Sequence, residues 1–379
     1  MNWLTGGPQG EAKRLITQLT DSTKRDIAAK ELIKLGVDSV PPLIDALQTQ
    51  DLGLLLVYQQ ILARISSATL PLTKALATAH PTVRARAAET LGISKDKSAI
   101  PALLNALKDE YYIVREAVVL ALGNIGDAQV IPFLLNLLKD KDAEVRSAAC
   151  VAIAKFRDPS TFDEITNILL DDLKIEVRQS AAIALGDTKH PAAIPFLMEA
   201  LRDSFWWFER EQAAKDLLSA IEKMGTGIVE PLIEALGDKE GTVRKFAAMV
   251  LGNLGDVRAM DELGMTLYDL HHEVSKAAAN ALVKFGARSV DILLEALNHP
   301  EAGIRECAIN ALGKIQDARV APVLIEMLRD PERIVQKQAM QSLGELRDQR
   351  AVPALREIAS NRADKEFSVL AKQILEAMK

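Results

Sequence analysis

The sequence predicts an all-α fold, an α-solenoid of about twelve helical pairs, and three observations carry that expectation. One stretch says the same thing twice. KSAIPALLNALKDEYYIVREAVVLALGNIGD, starting at Lys97, runs straight into AQVIPFLLNLLKDKDAEVRSAACVAIAKFRD, with Pro101 answered by Pro132, Asp109 by Asp140 and Val114-Arg115 by Val145-Arg146, a period of 31 residues. Self-similarity at such a period marks stacked supersecondary units rather than a globular core. The composition agrees: 49% of residues are hydrophobic but only 4% aromatic, so the core is expected to be Leu, Ala, Val and Ile on helices rather than a sheet sandwich. No linker or low-complexity segment interrupts the chain, so residues 1–379 are expected to form a single repeat-array domain behind a short N-terminal arm, 1–10.

In chain order, helical pairs are expected at about 11–35, 39–66, 69–94, 98–125, 129–156, 161–188, 192–224, 227–254, 258–285, 289–315, 319–346 and 350–378. Pro41, Pro71, Pro101, Pro132, Pro195, Pro231, Pro322 and Pro353 fall near the start of the first helix of a pair, where a missing N–H costs little. Gly92, Gly123, Gly186, Gly252, Gly313 and Gly344 are read as closing the second helix.

The second helix explains why the pairs must stack. Counted from Arg115, positions −1, +3, +6, +7 and +10 hold Val114, Val118, Ala121, Leu122 and Ile125, one stripe at 100° per residue. The same columns hold Val145, Ala149, Ala152, Ile153 and Phe156, then Val243, Ala247, Val250, Leu251 and Leu254, then Ile304, Ala308, Ala311, Leu312 and Ile315. A single pair would leave this stripe wet, and only its neighbours can cover it. An Asp stands six residues before the Arg position at Asp109, Asp140, Asp172, Asp238, Asp269 and Asp330. These are read as a structural ladder, with guanidinium and carboxylate pairing within or between repeats.

A formal charge of −6 argues against nucleic-acid binding as the main activity, which needs clustered Lys and Arg. Two cysteines are too few for a disulfide framework and point to a reducing, cytoplasmic compartment. No signal-like start and no long apolar run occurs, so membrane insertion is not expected. The chain also lacks GxSxG, GxxxxGK[ST] and HExxH, and no constellation reads as an enzyme.

At the Val-Arg pairs and the Ala-Leu-Gly of the second helix (Ala121-Leu122-Gly123), the chain resembles HEAT repeats, in the short form that occurs in E/F-type phycobilin lyases. The resemblance covers nearly the whole chain and implies an α-solenoid. It also implies two activities as alternatives: attaching bilin to a phycobiliprotein, or partnering an iron–sulfur cluster assembly scaffold.

Function is expected where the pattern breaks. Position +5 of the second helix points away from the core stripe and reads Glu89, Leu120, Val151, Ile183, Met249, Asn280, Asn310 and Gln341. An apolar centre with polar ends, expected on the concave face, marks a groove for another protein's helix or small domain. The alternative is that close packing covers the column. The stretched seventh pair adds Trp206 and Trp207, one to plug the insertion and the other to touch a partner. In that pair Asp216 falls on the small +6 column, unless a register shift gives the stripe to Leu217, Leu218 and Ile221 and turns Asp216 outward. With the two tryptophans it would form the pocket of a bilin lyase. Tyr111, Tyr112, His271 and His272 lie at turns along one edge, a second candidate partner surface, although the histidines lack metal-ligand spacing. Cys150 and Cys307 are expected to pack as small hydrophobes; their alternative role is as ligands of a cluster shared with a partner. The expected function is therefore a non-catalytic scaffold with no intrinsic cofactor, using Leu120, Val151, Ile183 and Met249 to hold a protein partner.

Overall fold

The computed structural model describes residues 7–202, 211–361 and 363–378. Among these the regular structure is helical throughout, and the chain divides into two compact units, Met1–Ala220 and Ile221–Lys379. The first unit runs α1 (Gly7–Gln18), α2 (Arg25–Leu35), α3 (Val40–Ala46), α4 (Leu52–Ala63), α5 (Thr69–Thr78) and α6 (Pro81–Ser94). It continues with α7 (Ile100–Ala106), α8 (Tyr112–Ile125), α9 (Ile131–Leu137), α10 (Ala143–Ala154), α11 (Phe162–Asp171), α12 (Ile175–Thr188) and α13 (Ile194–Arg202). The division between units falls inside α14 (Glu211–Glu222). The second unit holds α15 (Val229–Ala235), α16 (Gly241–Leu254), α17 (Met260–Thr266), α18 (His272–Val283) and α19 (Val290–Ala296). Its remaining helices are α20 (Ala302–Lys314), α21 (Val320–Met327), α22 (Arg333–Leu346), α23 (Val352–Ser360) and α24 (Lys365–Ala377). Residues 7–10, expected in the arm, already belong to α1.

Within each unit the second helix of a pair stacks on the second helix of the next. In the first unit α6 packs on α8, α8 on α10 and α10 on α12; in the second, α16 packs on α18, α18 on α20 and α20 on α22. The predicted stripe is the core: Val114, Val118, Ala121, Leu122 and Ile125 are buried, as are Val145, Ala149, Ala152 and Ile153. Fully burying a Leu or Val is worth about 1.5–3 kcal/mol, so each stripe supplies much of its repeat's stability. Phe156 and Leu254, at the far end of their stripes, are only half-buried.

The helix-closing role expected of the glycines is corrected by the structure. Gly123 and Gly252 lie inside α8 and α16, two residues before the last helical residue. A Cβ on Gly123 would lie 2.8 Å from the Ala152 Cβ, and one on Gly252 would lie 2.6 Å from that of Ala281. Glycine at +8 thus meets the small residue at +6 of the following repeat, so the two backbones approach closely along a seam. The termination role belongs three residues further on, where Gly126 (φ +72) and Gly255 (φ +64) adopt the left-handed conformation that ends a helix.

Candidate functional site

The turns between the helices of a pair are built by the Asp–Arg ladder, and the structure resolves its connectivity as running between repeats. Arg115 donates to both carboxylate oxygens of Asp140, at 2.9 and 2.7 Å. Its other amino group reaches back 2.9 Å to the Asp109 carbonyl of its own turn. Arg84 clasps Asp109 and Arg146 clasps Asp172 in the same bidentate way. Each carboxylate also accepts a turn N–H two residues on, as Asp109 does from Tyr111 and Asp269 from His271. Burial alone would raise the carboxyls of Asp109, Asp140 and Asp172, but the paired guanidinium and turn N–H hold them below the ordinary range. Every donor and acceptor here is engaged in holding a turn, so the ladder is structural.

In the second unit the ladder skips. Arg244 clasps Asp269 and Arg305 clasps Asp330. Between them the Arg position is Ser275, whose hydroxyl donates to the Asp269 carbonyl at 2.9 Å, and the next Asp position is His299. At the following turn Gln336 replaces Arg and donates to the Asp330 carbonyl at 2.6 Å.

The face opposite the core stripe is set by positions +1, +5 and +9, which lie four residues apart on one side of each second helix. In the first unit these rows read Glu116-Leu120-Asn124, Ser147-Val151-Lys155 and Gln179-Ile183-Asp187. Leu120, Val151 and Ile183 are each half-buried, so the stripe at +5 is covered in part by its own repeats and in part exposed. Beside Leu120, the carboxyl of Glu116 is pushed up by burial, with Glu144 and Glu89 adding like charge. Met249, the fourth member of the column, lies in the second unit and is 40% exposed.

Trp206 and Trp207 lie outside the described residues. In α14, Leu217, Leu218 and Ile221 are buried and Asp216 is partly exposed, accepting a hydrogen bond from the Gln179 amide. The seam fixes that register: Gly186 meets Ala220, so Ala220 takes the +6 place and the repeat resumes four residues later than Arg210 suggested. The shifted reading of this helix is therefore the one the structure has.

Tyr111 and Tyr112 are 46% and 42% exposed at the start of α8, and the Arg84 guanidinium lies 5.5 Å from the centroid of the Tyr111 ring. At the corresponding turn of the second unit, His271 packs against Gly241, where a Cβ would come within 2.6 Å of its ring. His272 places Nδ1 4.0 Å from the Cys307 sulfur. Burial pushes the Cys307 thiol up to about 11 and the Cys150 thiol up to about 12, so both are protonated at neutral pH. Among the described residues no group of three or more His, Cys, Asp or Glu could hold a metal ion, and no helix is long and apolar enough to cross a membrane. Of the exposed large apolar side chains among the described residues, two stand out most, and no repeat column singles them out in the sequence. Leu173 and Leu270, each immediately after a ladder Asp, are 92% and 100% exposed.

Among solved structures, the karyopherin Kap121p bound to the SUMO protease Ulp1p is similar with a TM-score of 0.57 at 14% identity, over 100% of this chain and 50% of that one. Kap121p bound to Ste12p gives 0.58 at 15% identity, over 97% and 49%. The chain spans about half the length of these karyopherins, and at such identity the likeness is one of fold. No curated protein matches it significantly. The model for HEAT repeats matches residues 69–151, 131–218, 229–306, 266–336 and 290–376, most of the sequence, and the chain belongs to the HEAT-repeat family.

Proposed function

We propose that this solenoid is a non-catalytic scaffold that takes a protein partner on the second-helix face of its first unit. The observation that supports this most is the part-exposed row Leu120, Val151 and Ile183, held at the same position of three stacked helices. Packed helices sit about 8–10 Å apart, close to the roughly 10.5 Å spanned by seven residues of an α-helix. A partner helix crossing the stack would meet this row with apolar residues seven apart. Karyopherins of similar fold have been solved with protein partners such as Ulp1p and Nup53p bound, which adds general support for a solenoid in such a role. Two buried, protonated thiols suit the reducing, cytoplasmic setting proposed with it.

Bilin attachment would use Asp216 with Trp206 and Trp207, and nothing about Asp216, engaged by Gln179, favours that reading. Nor does the burial of Cys150 and Cys307 favour a cluster shared with a partner.

The test is the double variant Leu120→Asp with Ile183→Asp as bait beside the unaltered protein. Proteins captured by the native chain should be lost by the variant while it stays folded by circular dichroism at the capture temperature; some loss of stability accompanies a carboxylate at two half-buried sites. Undiminished capture by a folded variant would sink the proposal.

A further inference from the structure

On the second unit a groove of about 270 Å³ lies between the rows Lys245-Met249-Asn253 of α16 and Lys276-Asn280-Lys284 of α18 and the residue after it. Its floor is apolar and shallow: Met249 from one side, Gly252 and the methyls of Ala277 and Ala281 along the bottom. Of the three lysines on its rim, Lys245 is 3.2 Å from Glu273. Lys276 and Lys284 are exposed and have no carboxylate within ion-pair distance among the described residues. They stand eight residues apart, roughly 12 Å along the helix. Asn280 lies between them, its side-chain carbonyl accepting from Lys314 at 3.3 Å.

In a chain of formal charge −6, a groove whose rim carries three lysines and one glutamate selects its occupant by sign. The apolar floor adds a second requirement that a bare polyanion does not meet.

We infer that this groove binds an acidic amphipathic helix of a partner protein, with one large aliphatic side chain on the Met249–Ala277 floor and carboxylates about two turns apart on Lys276 and Lys284. The inference rests on the scaffold reading and deepens it by naming the chemistry of a partner segment. A nucleic acid or sulfated polysaccharide would use the lysines but leave the floor unfilled, and neutralising a phosphate backbone takes a larger basic field than this. The groove has room for one large side chain, which is the payload a helix delivers.

The experiment is fluorescence anisotropy with the full-length chain and a labelled synthetic helix of about 18 residues, bearing Leu at its centre and Glu four residues to either side. Saturable binding that weakens as salt is raised is expected. Lys276→Glu with Lys284→Glu should weaken it about tenfold or more, and so should replacing the peptide's Leu by Ser. Leu120→Asp with Ile183→Asp should leave it unchanged, which separates failure of this groove from failure of the first unit's face. Absence of binding to the native chain, binding by the Lys276/Lys284 variant within about twofold of native, or equal binding of a Lys-for-Glu peptide would overturn the inference. Tighter binding of an oligothymidylate, lost with the same two lysines and indifferent to Met249→Ser, would overturn it in favour of a polyanion site.

Discussion

The two units share one seam and one stripe but differ in how their turns are tied and in what their second-helix faces offer. In the first unit the rungs Arg84–Asp109, Arg115–Asp140 and Arg146–Asp172 follow one another without a gap, and the outer rows are apolar and half-buried at the centre. In the second, Arg244–Asp269 and Arg305–Asp330 alternate with turns closed by Ser275 and Gln336, and the rows around Met249 carry lysine. The seam fixes the stacking while the turns and the outer rows vary around it.

The largest effect is expected at a middle rung. Arg115 is buried against Asp140 and also meets Asp142 at 2.7 Å. Arg115→Ala would leave those carboxylates facing each other without a cation, a loss of about 3 kcal/mol or more, measurable by urea unfolding. Arg258→Ala, at an arginine 45% exposed that pairs with Glu230 and Asp256, serves as the exposed comparison and should cost much less. Similar losses at both sites would mean that the ladder is no more than surface pairing.

Acid should separate the units next. Ladder carboxylates titrate below their unfolded value of about 3.9, so their contribution is complete above roughly pH 4 and disappears as pH falls through the lower folded values. With three consecutive rungs, α8 and α10 should lose amide protection more steeply between pH 5 and pH 2 than α18, which lies between a rung and a gap. Hydrogen exchange corrected for intrinsic rates reads this directly. Parallel loss in both units would break the comparison.

The smallest effect comes from supplying the missing rung. Ser275→Arg and His299→Asp are each expected to destabilise alone, because each buries an unpaired charge. Together they should recover that loss and add up to about 1 kcal/mol. A double-mutant cycle with no coupling would show that the second unit's backbone does not hold these positions as the first unit's does.

Much of this was legible before any coordinates. The 31-residue echo and the Val, Ala and Leu columns dictated the stacking, because a stripe that cannot be covered locally has only a neighbour to use. The Asp–Arg spacing pointed to a ladder, although only the structure decided that it runs between repeats. The role of the glycines is not legible, because a glycine near a helix end looks the same in sequence whether it stops the helix or admits a neighbour's backbone. The sequence leaves the phase of α14 open because Arg210 sits where a repeat's Arg should, and the contact that resets the count, Gly186 on Ala220, spans 34 residues of sequence. The lysine rows of the second unit went unseen because +1 and +9 were not read as columns, although Lys245, Lys276 and Lys284 were there to be aligned.

The contact of Gly186 with Ala220 has a consequence for how such a chain can change. What each repeat must deliver is a small residue at the right height for the glycine before it, and the length of backbone used to bring it there is free. Residues can therefore be gained between one docking point and the next while the contact of glycine with small residue is kept. The seventh pair, whose Ala220 still meets Gly186 although it lies 34 residues on in the chain, shows that the docking point sets the repeat and the count of residues does not.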